Sequence, residues 1–340
     1  MTTTSKPTIF ITGATGLIGG TFLHLMLSRD YLDKFTISAL VRHPEDAETM
    51  RQLGIRPVVG TLDDSVLLKE ESAAASVVFN TADCDHVDSA RAIVRGLLQR
   101  ANETGSKPIL IHTSGAGVLS TNSTGTGISP EEDKGATMWD DQDALAHATI
   151  PPFAPHRFVD LEVFAGAETR LIKTYLVVPP TVFGRGLGAF AEKRMSIQIP
   201  RLVQQSLMSR RALYVGSGEN QWTNVHVVDL AELYLLILDG ALKNTAPEGA
   251  EGLYYPSTEY FPWIAVADRI AQILHAKGLI ARPNATSGLR EGWFWGSNVR
   301  TKSTNGQKIG WLPTLGGNDQ MLADVEWDVE LVLRMFALSR

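Results

Sequence analysis

The sequence predicts an α/β protein built on a doubly wound parallel sheet, with a smaller, discontinuous C-terminal lobe. Three observations support this fold class. The chain has 340 residues, of which 44% are hydrophobic, so it can bury a full core. A short apolar strand at residues 9–11 turns through glycines directly into a helix at residues 17–27. A second strand follows at residues 35–41, and strands and helices continue to alternate, which is typical of a parallel sheet with crossover helices.

The composition argues against several classes of protein. With 31 basic and 37 acidic residues the net charge is −6, and no basic block is longer than Arg210 and Arg211. This balance argues against nucleic acid or an anionic membrane as the main partner. The single cysteine, Cys84, excludes an internal disulfide framework and a cysteine-based zinc site, and is consistent with a reducing compartment. We see no signal-peptide pattern and no apolar run of about 18 residues, so we expect a cytoplasmic protein.

The turn after the first strand carries glycines at G-x-x-G-x-x-G spacing, namely Gly13, Gly16 and Gly19. The first allows a tight turn, the second lets the backbone approach a pyrophosphate, and the third lets the helix pack on the strand. The free N–H groups of that helix would then face the phosphates. This position in the chain favours a Rossmann-like nucleotide site over an ordinary strand-to-helix turn. The residues expected to hold the nucleotide are Gly13, Thr15, Gly16, Leu17, Ile18 and Gly19.

Arg42 follows the second strand, where the adenosine ribose should lie. An acid at this point accepts hydrogen bonds from a free 2′-hydroxyl, whereas an arginine pairs with a 2′-phosphate. The nearest acid, Asp33, precedes the strand and is badly placed for the ribose. Arg42 therefore favours NADP(H), with NAD as the alternative and a solvated surface arginine as the plain structural interpretation.

Alternating elements continue through the first half of the chain. Helices are expected near residues 44–53 and 90–101, the second with an apolar stripe that packs on the sheet, and strands at residues 56–59, 76–80 and 107–113. The run Asp83, Cys84, Asp85 and His86 lies at the carboxyl end of one of these strands. Consecutive residues cannot all point at one ion, so we interpret the run as a polar loop and expect no metal.

Residues 121–155 form a long connection rich in Gly, Ser, Thr, Asp and Pro. Loops of this length inside a compact domain are usually functional or mobile. Pro151, Pro152 and Pro155 stop any helix before His156 and favour one that begins there. The expected helix spans residues 156–168 and leads into a strand at residues 171–178.

Several of these segments resemble the short-chain dehydrogenase/reductase superfamily, in particular its extended, epimerase/dehydratase-like branch. The glycine-rich turn carries the resemblance first. Residues 179–184, Pro-Pro-Thr-Val-Phe-Gly, are similar to the family's proline-valine-tyrosine-glycine turn at the nicotinamide, and residues 309–313 resemble the branch near its end. The resemblance implies a nicotinamide cofactor, a small-molecule substrate, and cofactor contacts from Leu62, Ala82, Pro179 and Val182.

The resemblance also indicates where catalytic residues should stand, and there the sequence departs from the family. The family's Tyr-x-x-x-Lys pair falls on His156 and Asp160, and its catalytic hydroxyl falls on Gly115. Ser114 stands one position early, and successive strand residues point to opposite sides. A glycine-rich turn can still bring it to the site, although a structural hydroxyl is an equal alternative.

The candidates for catalysis are therefore His156, Arg157 and Ser114. Histidine can donate or accept a proton near neutral pH, Arg157 can supply positive charge, and Asp160 can orient the imidazole. The alternative is a histidine and an arginine at a helix start, held by neighbouring carboxylates.

The rest of the chain is expected to complete the sheet and to form the substrate lobe that the resemblance implies. We expect a loop at residues 185–188 that opens a helical region through residue 208, interrupted at 196–200. Further helices are expected after the glycine turn 216–220 and at 262–277, and strands at 212–215 and 252–255. His226 and Asp229 are interpreted as a helix cap and its neighbour. The aromatic residues of the last segment should fill a small core, namely Trp293, Phe294, Trp295, Trp311 and Trp327. The nucleotide-binding domain is then 1–185 with 222–256, and the substrate-binding lobe is 186–221 with 257–340.

Three functions fit this sequence. The first is an NADP-dependent oxidoreductase that acts on a small carbonyl or hydroxyl compound and uses His156 for proton transfer. The second is a redox-neutral lyase, isomerase or cyclase on the same scaffold, and the third is a non-catalytic NADP-binding sensor. The sequence sets neither the substrate nor the oligomeric state.

Overall fold

A computed structural model describes residues 6–121, 124–126, 138–290 and 292–338. The strands, in chain order, are β1 Thr8–Thr12, β2 Thr36–Val41, β3 Arg56–Val59, β4 Val77–Asn80, β5 Ile109–Thr113, β6 Trp139–Asp140, β7 Lys173–Val177, β8 Thr181–Phe183, β9 Leu213–Tyr214, β10 Gln221–His226, β11 Leu253–Tyr254, β12 Tyr260–Pro262, β13 Thr286–Ser287 and β14 Thr301–Lys302.

The helices, in chain order, are α1 Leu17–Ser28, α2 Tyr31–Lys34, α3 Pro44–Gln52, α4 Ser65–Ala74, α5 Val87–Thr104, α6 Ala144–Ala148, α7 Arg157–Glu168, α8 Gln198–Ser209, α9 Val227–Lys243, α10 Trp263–Ala276, α11 Gly292–Trp295, α12 Thr304–Lys308 and α13 Asn318–Leu338. Short 3₁₀ turns lie at Ala116–Leu119, Ala191–Lys193 and Gly249–Glu251. Among the described residues, none of the helices combines the length and the hydropathy that crossing a bilayer requires.

The central sheet confirms the predicted fold class. Its seven strands are all parallel and lie in the order β3-β2-β1-β4-β5-β7-β11. Ile9 in β1 pairs with Ile37 in β2 on one side and with Val77 in β4 on the other. The strand order reverses at β1, and ligands bind outside the carboxyl ends of the strands at such a switch point. The turns after β1 and β4 therefore meet where a nucleotide is expected.

Side chains of β1 alternate between two hydrophobic cores on the two faces of the sheet. Ile9 and Ile11 lie in a core that also contains residues of α1 and α9, and Phe10 lies in a core with residues of α4 and α5. All three side chains are fully buried. This alternation explains why the strand reads as an uninterrupted apolar run.

A further core lies beneath the segments that follow the sheet. It contains Trp222, Phe261, Trp263 and Trp295 together with apolar residues of α8, α10 and α13. The expectation that late aromatic residues fill a small core is thus correct for Trp295. Trp311 instead packs in the first core of the sheet, and its Nε1 donates to the Asp229 carbonyl at 2.7 Å.

Some elements differ from the expectation. Helices α4 and α13 were not expected. Residues 185–188 form no helix, as expected, but the helical region expected after them contains only the 3₁₀ turn Ala191–Lys193 before α8. Helix α8 begins at Gln198, inside the expected interruption, because Pro200 stands in its first turn, where a missing N–H leaves no hydrogen bond unmade. Residues 122–123 and 127–137 of the long connection lie outside the described residues, and its described part contains β6 and α6.

Candidate active site

The glycine-rich turn between β1 and α1 is tightly packed. Gly13 has a φ of +78°, and a Cβ there would stand 2.5 Å from the Thr81 carbonyl oxygen. A Cβ on Gly19 would stand 2.4 Å from the Gly13 carbonyl oxygen. Both positions therefore need glycine, one for the turn and one for the approach of the helix to the strand.

The start of α1 leaves backbone donors available to a ligand. Gly16 is the N-cap, no side chain caps the helix, and its first turn contains no acidic residue. The amide groups of the first turn thus lack intrahelical partners and lie at the positive end of the helix dipole. A diphosphate fits this cradle, because it accepts hydrogen bonds from such amides and carries the opposite charge.

A cavity of about 320 Å³ opens beside this helix start, at the carboxyl ends of the strands. It brings together eight of the residues singled out in the sequence: Gly16, Leu17, Ile18, Ala82, Ser114, His156, Pro179 and Val182. Residues from five separate parts of the chain therefore line one cavity. Arg42 and Leu62 lie outside this lining, Arg42 exposed and Leu62 half-buried against the core of α4 and α5.

His156 is the N-cap of α7 and has a left-handed backbone, with φ +65° and ψ −17°. Its side chain is 16% exposed. Nδ1 lies 2.8 Å from Asp85 Oδ1 and 3.3 Å from Cys84 Sγ. A Cβ on Gly115 would stand 2.9 Å from His156 Nε2, and one on Gly117 would stand 3.0 Å from it. The imidazole therefore fills the space that a side chain at either glycine would occupy.

The environment of His156 favours the imidazolium. Burial lowers the pKa of His156, but the hydrogen bond to Asp85 and the contact with Cys84 outweigh it and raise the pKa to about 10. The hydrogen bond from His156 in turn holds the pKa of Asp85 below its usual value, against the opposing effect of burial. Around neutral pH the two side chains form an ion pair.

The ligand atoms of Cys84, Asp85 and His156 lie within 4.8 Å of one another, a spacing that would also suit a metal ion. Consecutive residues of this loop were expected not to point at one ion together, yet Cys84 and Asp85 both contact Nδ1 of His156. The hydrogen-bonded ion pair of His156 and Asp85, with Cys84 beside it, accounts for this grouping.

Ser114 and Asp160 lie near the imidazole and are both buried. No hydrogen bond of good geometry reaches Ser114 Oγ or either carboxylate oxygen of Asp160. Burial raises the pKa of Asp160 to about 7, although the Ser114 hydroxyl and the positive charges of His156 and Arg157 act in the other direction. The prediction that Asp160 orients the imidazole is wrong, because the carboxylate that contacts the ring is that of Asp85.

Arg157 does not line the cavity that contains His156. Its guanidinium nitrogen lies 2.9 Å from His147 Nε2, and its Cζ lies 5.5 Å from the centroid of the Phe164 ring. These contacts place it at a separate cavity of about 440 Å³ between α6 and α7. Burial lowers the pKa of Arg157. Arg157 therefore packs α7 against α6.

Sequence reasoning missed Asp85 and Cys84 as parts of the site. The available signal was their position directly after β4, whose carboxyl end adjoins those of β1 and β5. The interpretation of His226 is confirmed: it is the N-cap of α9, and its Nδ1 accepts a hydrogen bond from the Val228 N–H at 3.2 Å.

Residues 9–248 match the family model of the NAD dependent epimerase/dehydratase family. The chain belongs to this family. The match confirms the resemblance that the glycine-rich turn and the 179–184 segment indicate. It covers the whole central sheet apart from the edge strand β11 and the first residue of β1.

Relatives in sequence include an oxidase, ucsJ, from Acremonium sp, which is 29% identical over 330 residues, covering 90% of this chain and 92% of that protein. Another is the 4-hydroxy-2-methyl-3-oxo-4-farnesyl-3,4-dihydroquinoline-1-oxide ketoreductase of Stigmatella aurantiaca, which is 24% identical over 272 residues, covering 80% and 74%. Among solved structures, UDP-glucose 4-epimerase from Thermotoga maritima has the same fold, with a TM-score of 0.66, 13% identity and coverage of 97% and 99%.

Proposed function

We propose that this protein is an NADP(H)-dependent oxidoreductase that acts on a carbonyl or hydroxyl group of a small molecule and uses His156 for proton transfer. One observation carries the proposal. The cavity beside the glycine-rich turn contains an imidazole whose Nδ1 is held by Asp85 at 2.8 Å. A cofactor cradle and an acid–base group therefore share one cavity, which is the minimum that carbonyl reduction requires.

The residues that would hold the cofactor follow the ends of β1, β2 and β4 or lie in β8. The turn of Gly13 and Gly16 would bind the diphosphate, Arg42 would pair with the 2′-phosphate, and Ala82 and Val182 would lie along the nicotinamide half. When bound, NADPH supplies a hydride to the carbonyl carbon of the substrate.

His156 would supply the proton. Asp85 and Cys84 engage Nδ1, so Nε2 is the nitrogen left to donate to the carbonyl oxygen. A pKa raised to about 10 keeps the imidazole protonated at neutral pH, which favours reduction over oxidation. Ser114, which lines the same cavity and whose hydroxyl makes no hydrogen bond of good geometry, would hold the carbonyl oxygen in place.

The relatives support this reaction type. One is named an oxidase and another a ketoreductase; both names describe redox chemistry, and the second names a ketone as the group that is reduced. The family model names NAD as the cofactor of the family, and a dTDP-glucose 4,6-dehydratase from Bacillus anthracis with the same fold was solved in complex with NAD.

A panel of aldehydes and ketones tests the proposal. Binding of NADPH and NADP⁺ is first measured by calorimetry, and the panel is then assayed by the loss of the NADPH absorbance band. We expect cofactor binding and cofactor oxidation with at least one ketone. Tight NADPH binding with no oxidation across the panel would contradict the proposal and leave a redox-neutral enzyme or a sensor on the same scaffold.

A further inference from the structure

The segment between β8 and α8, residues 184–197, lies along α1. The Leu187 N–H donates to Thr21 Oγ1 of α1 at 3.1 Å. Further along the segment, Arg194 Nε donates to the Thr15 carbonyl at 2.5 Å. Thr15 belongs to the glycine-rich turn between β1 and α1. An arginine from outside the central sheet therefore lies at the edge of the cofactor cradle.

The guanidinium of Arg194 has donors left after this contact. Its Nε donates to Thr15, and the two Nη groups carry the remaining N–H groups of the side chain. Within the described part of the chain, neither Nη group has a hydrogen-bond partner, and neither is among the buried polar atoms that lack one. Arg194 is half-buried. Its Nη groups are thus accessible to a ligand.

The charge of Arg194 is unpaired at a place where positive charge is already present. Among the residues that the structure describes, no carboxylate forms an ion pair with it. Thr15 directly precedes Gly16, the N-cap of α1, and the first turn of this helix has no acidic residue and no capping side chain. A helix start carries partial positive charge, so it repels a guanidinium unless an anion lies beside both.

We propose that Arg194 binds the diphosphate of the nicotinamide cofactor together with the amide groups that begin α1. Guanidinium groups form charge-assisted hydrogen bonds with phosphate oxygens, and helix-start amides donate to the same kind of anion. A diphosphate beside both groups neutralises the charges that otherwise repel each other. The inference rests on the proposed function for the presence of the cofactor, and it adds a binding residue from outside the sheet.

The position of Arg194 also connects the cofactor to the rest of the cavity. Residues 195–198 follow it directly and line the cavity that contains His156. A diphosphate held by Arg194 therefore fixes the start of the segment that forms this part of the lining. The alternative is a structural role, in which Arg194 only ties the segment to the Thr15 carbonyl.

The cofactor affinity of Arg194→Gln tests the inference. Glutamine places an amide N–H where arginine has Nε, so it can keep the contact with Thr15, but it carries no charge. The ligands are NADPH, NADH and ADP-ribose, which all contain the diphosphate, and their dissociation constants are measured by calorimetry. Each should bind the variant about 10- to 100-fold more weakly than wild-type protein, and by the same factor, because a charge-assisted hydrogen bond to a shared group is lost.

Arg211→Gln is the matched control. Arg211 is an exposed arginine beyond the end of α8 and lies outside the cavity lining. The control changes the net charge equally and should leave all three affinities unchanged. Urea denaturation of the ligand-free proteins should give the same midpoint for wild-type protein and Arg194→Gln, which shows that a phosphate contact and not the fold is lost.

Three results would overturn the inference. They are equal affinity of wild-type protein and Arg194→Gln for NADH, a loss confined to NADPH, which would place the guanidinium at the 2′-phosphate, and a weaker binding that accompanies a lower urea midpoint, which would assign Arg194 the structural role.

The same measurements separate this inference from the proposed function. Wild-type protein that binds none of the three ligands would overturn both. Binding that depends on Arg194, without oxidation of NADPH by any ketone of the panel, would refute the proposed redox chemistry and support the role of Arg194.

Discussion

At the scale of single residues, the backbone of His156 explains how its ring reaches the site. A left-handed conformation is uncommon outside glycine, although histidine adopts it more readily than most residues. Here it lets α7 run away from the cavity while the imidazole of its N-cap turns back to Asp85. Such conformations cost free energy and persist where surrounding contacts hold them, as the Asp85 and Gly115 contacts do here.

Asp85→Asn should lower the pKa of His156. The change removes the negative partner, whereas burial, which disfavours the imidazolium, remains. We expect the titration midpoint, observed by NMR of the imidazole, to fall by about 1–3 pH units from its value near 10. The exposed Asp88, three residues further along the chain, gives the control: Asp88→Asn should leave the midpoint unchanged. A midpoint that does not move in Asp85→Asn would show that Asp85 does not set the charge of the ring.

Arg42→Asp should weaken NADPH binding more than NADH binding. Loss of a charge-assisted contact to the 2′-phosphate costs about 1.5–3 kcal/mol, or roughly 10- to 150-fold in affinity, while NADH lacks that group. Arg51→Asp, at the far end of α3, changes the net charge equally and should leave the ratio of the two affinities intact. Calorimetry with both cofactors measures the ratio, and an unchanged ratio in Arg42→Asp would refute the 2′-phosphate assignment.

At the scale of elements, local sequence predicts the cofactor cradle well and the acid–base cluster poorly. The turn of Gly13, Gly16 and Gly19 is set by its own spacing and its flanking apolar runs, so reading the sequence in order is enough to find it. Asp85 and His156 stand 71 residues apart, and only the order of the strands brings them together. No pattern within either segment contains that information.

Helix α7 shows the same limit within one turn. Consecutive helical residues point about 100° apart, so His156 and Arg157 cannot both face one cavity unless the helix start bends. In the structure His156 lines the cavity, whereas the side chain of Arg157 contacts His147. Both residues were candidates because of their side-chain chemistry, but only His156 lies in the cavity lining.

The effect of Gly115→Ala on the free energy of unfolding should depend on whether the His156 ring is present. The backbone of Gly115 is extended, so alanine suits it, but the added Cβ would meet His156 Nε2 at 2.9 Å. In wild-type protein we expect a cost of about 1–3 kcal/mol in the free energy of unfolding, the usual effect of overpacking. In a His156→Ala background, where the ring is absent, the cost should nearly disappear, as measured by urea denaturation of the four proteins. Equal costs in both backgrounds would show that the ring does not occupy this space.

At the scale of the whole molecule, residues outside the central sheet pack back on it and form part of the cavity wall. Trp311 packs in the first core of the sheet, while Leu176 and Tyr255, from or just after sheet strands, belong to the second core. Met195 and Ser196 lie on the same cavity as Gly16 and His156. The parallel sheet was predictable because alternating apolar strands and helices define it. The cavity wall formed by Met195, Ser196, Ile197, Gln198, Trp222 and Phe294 was not, because these residues come from separate short segments that no single periodic pattern links.

The central claim is that His156 donates the proton in carbonyl reduction, and His156→Asn tests it most directly. Asparagine tolerates the left-handed conformation and cannot act as the acid. The measurement is kcat for the ketone that wild-type protein reduces fastest, as a function of pH, with NADPH affinity measured in parallel. His226→Asn, a capping histidine outside the cavity lining, serves as the control. We predict a wild-type rate that falls as the pH rises through about 10, a loss of about 100-fold or more in His156→Asn, and NADPH affinity unchanged within about twofold. A variant within threefold of wild-type kcat, with the same pH profile, would contradict the account.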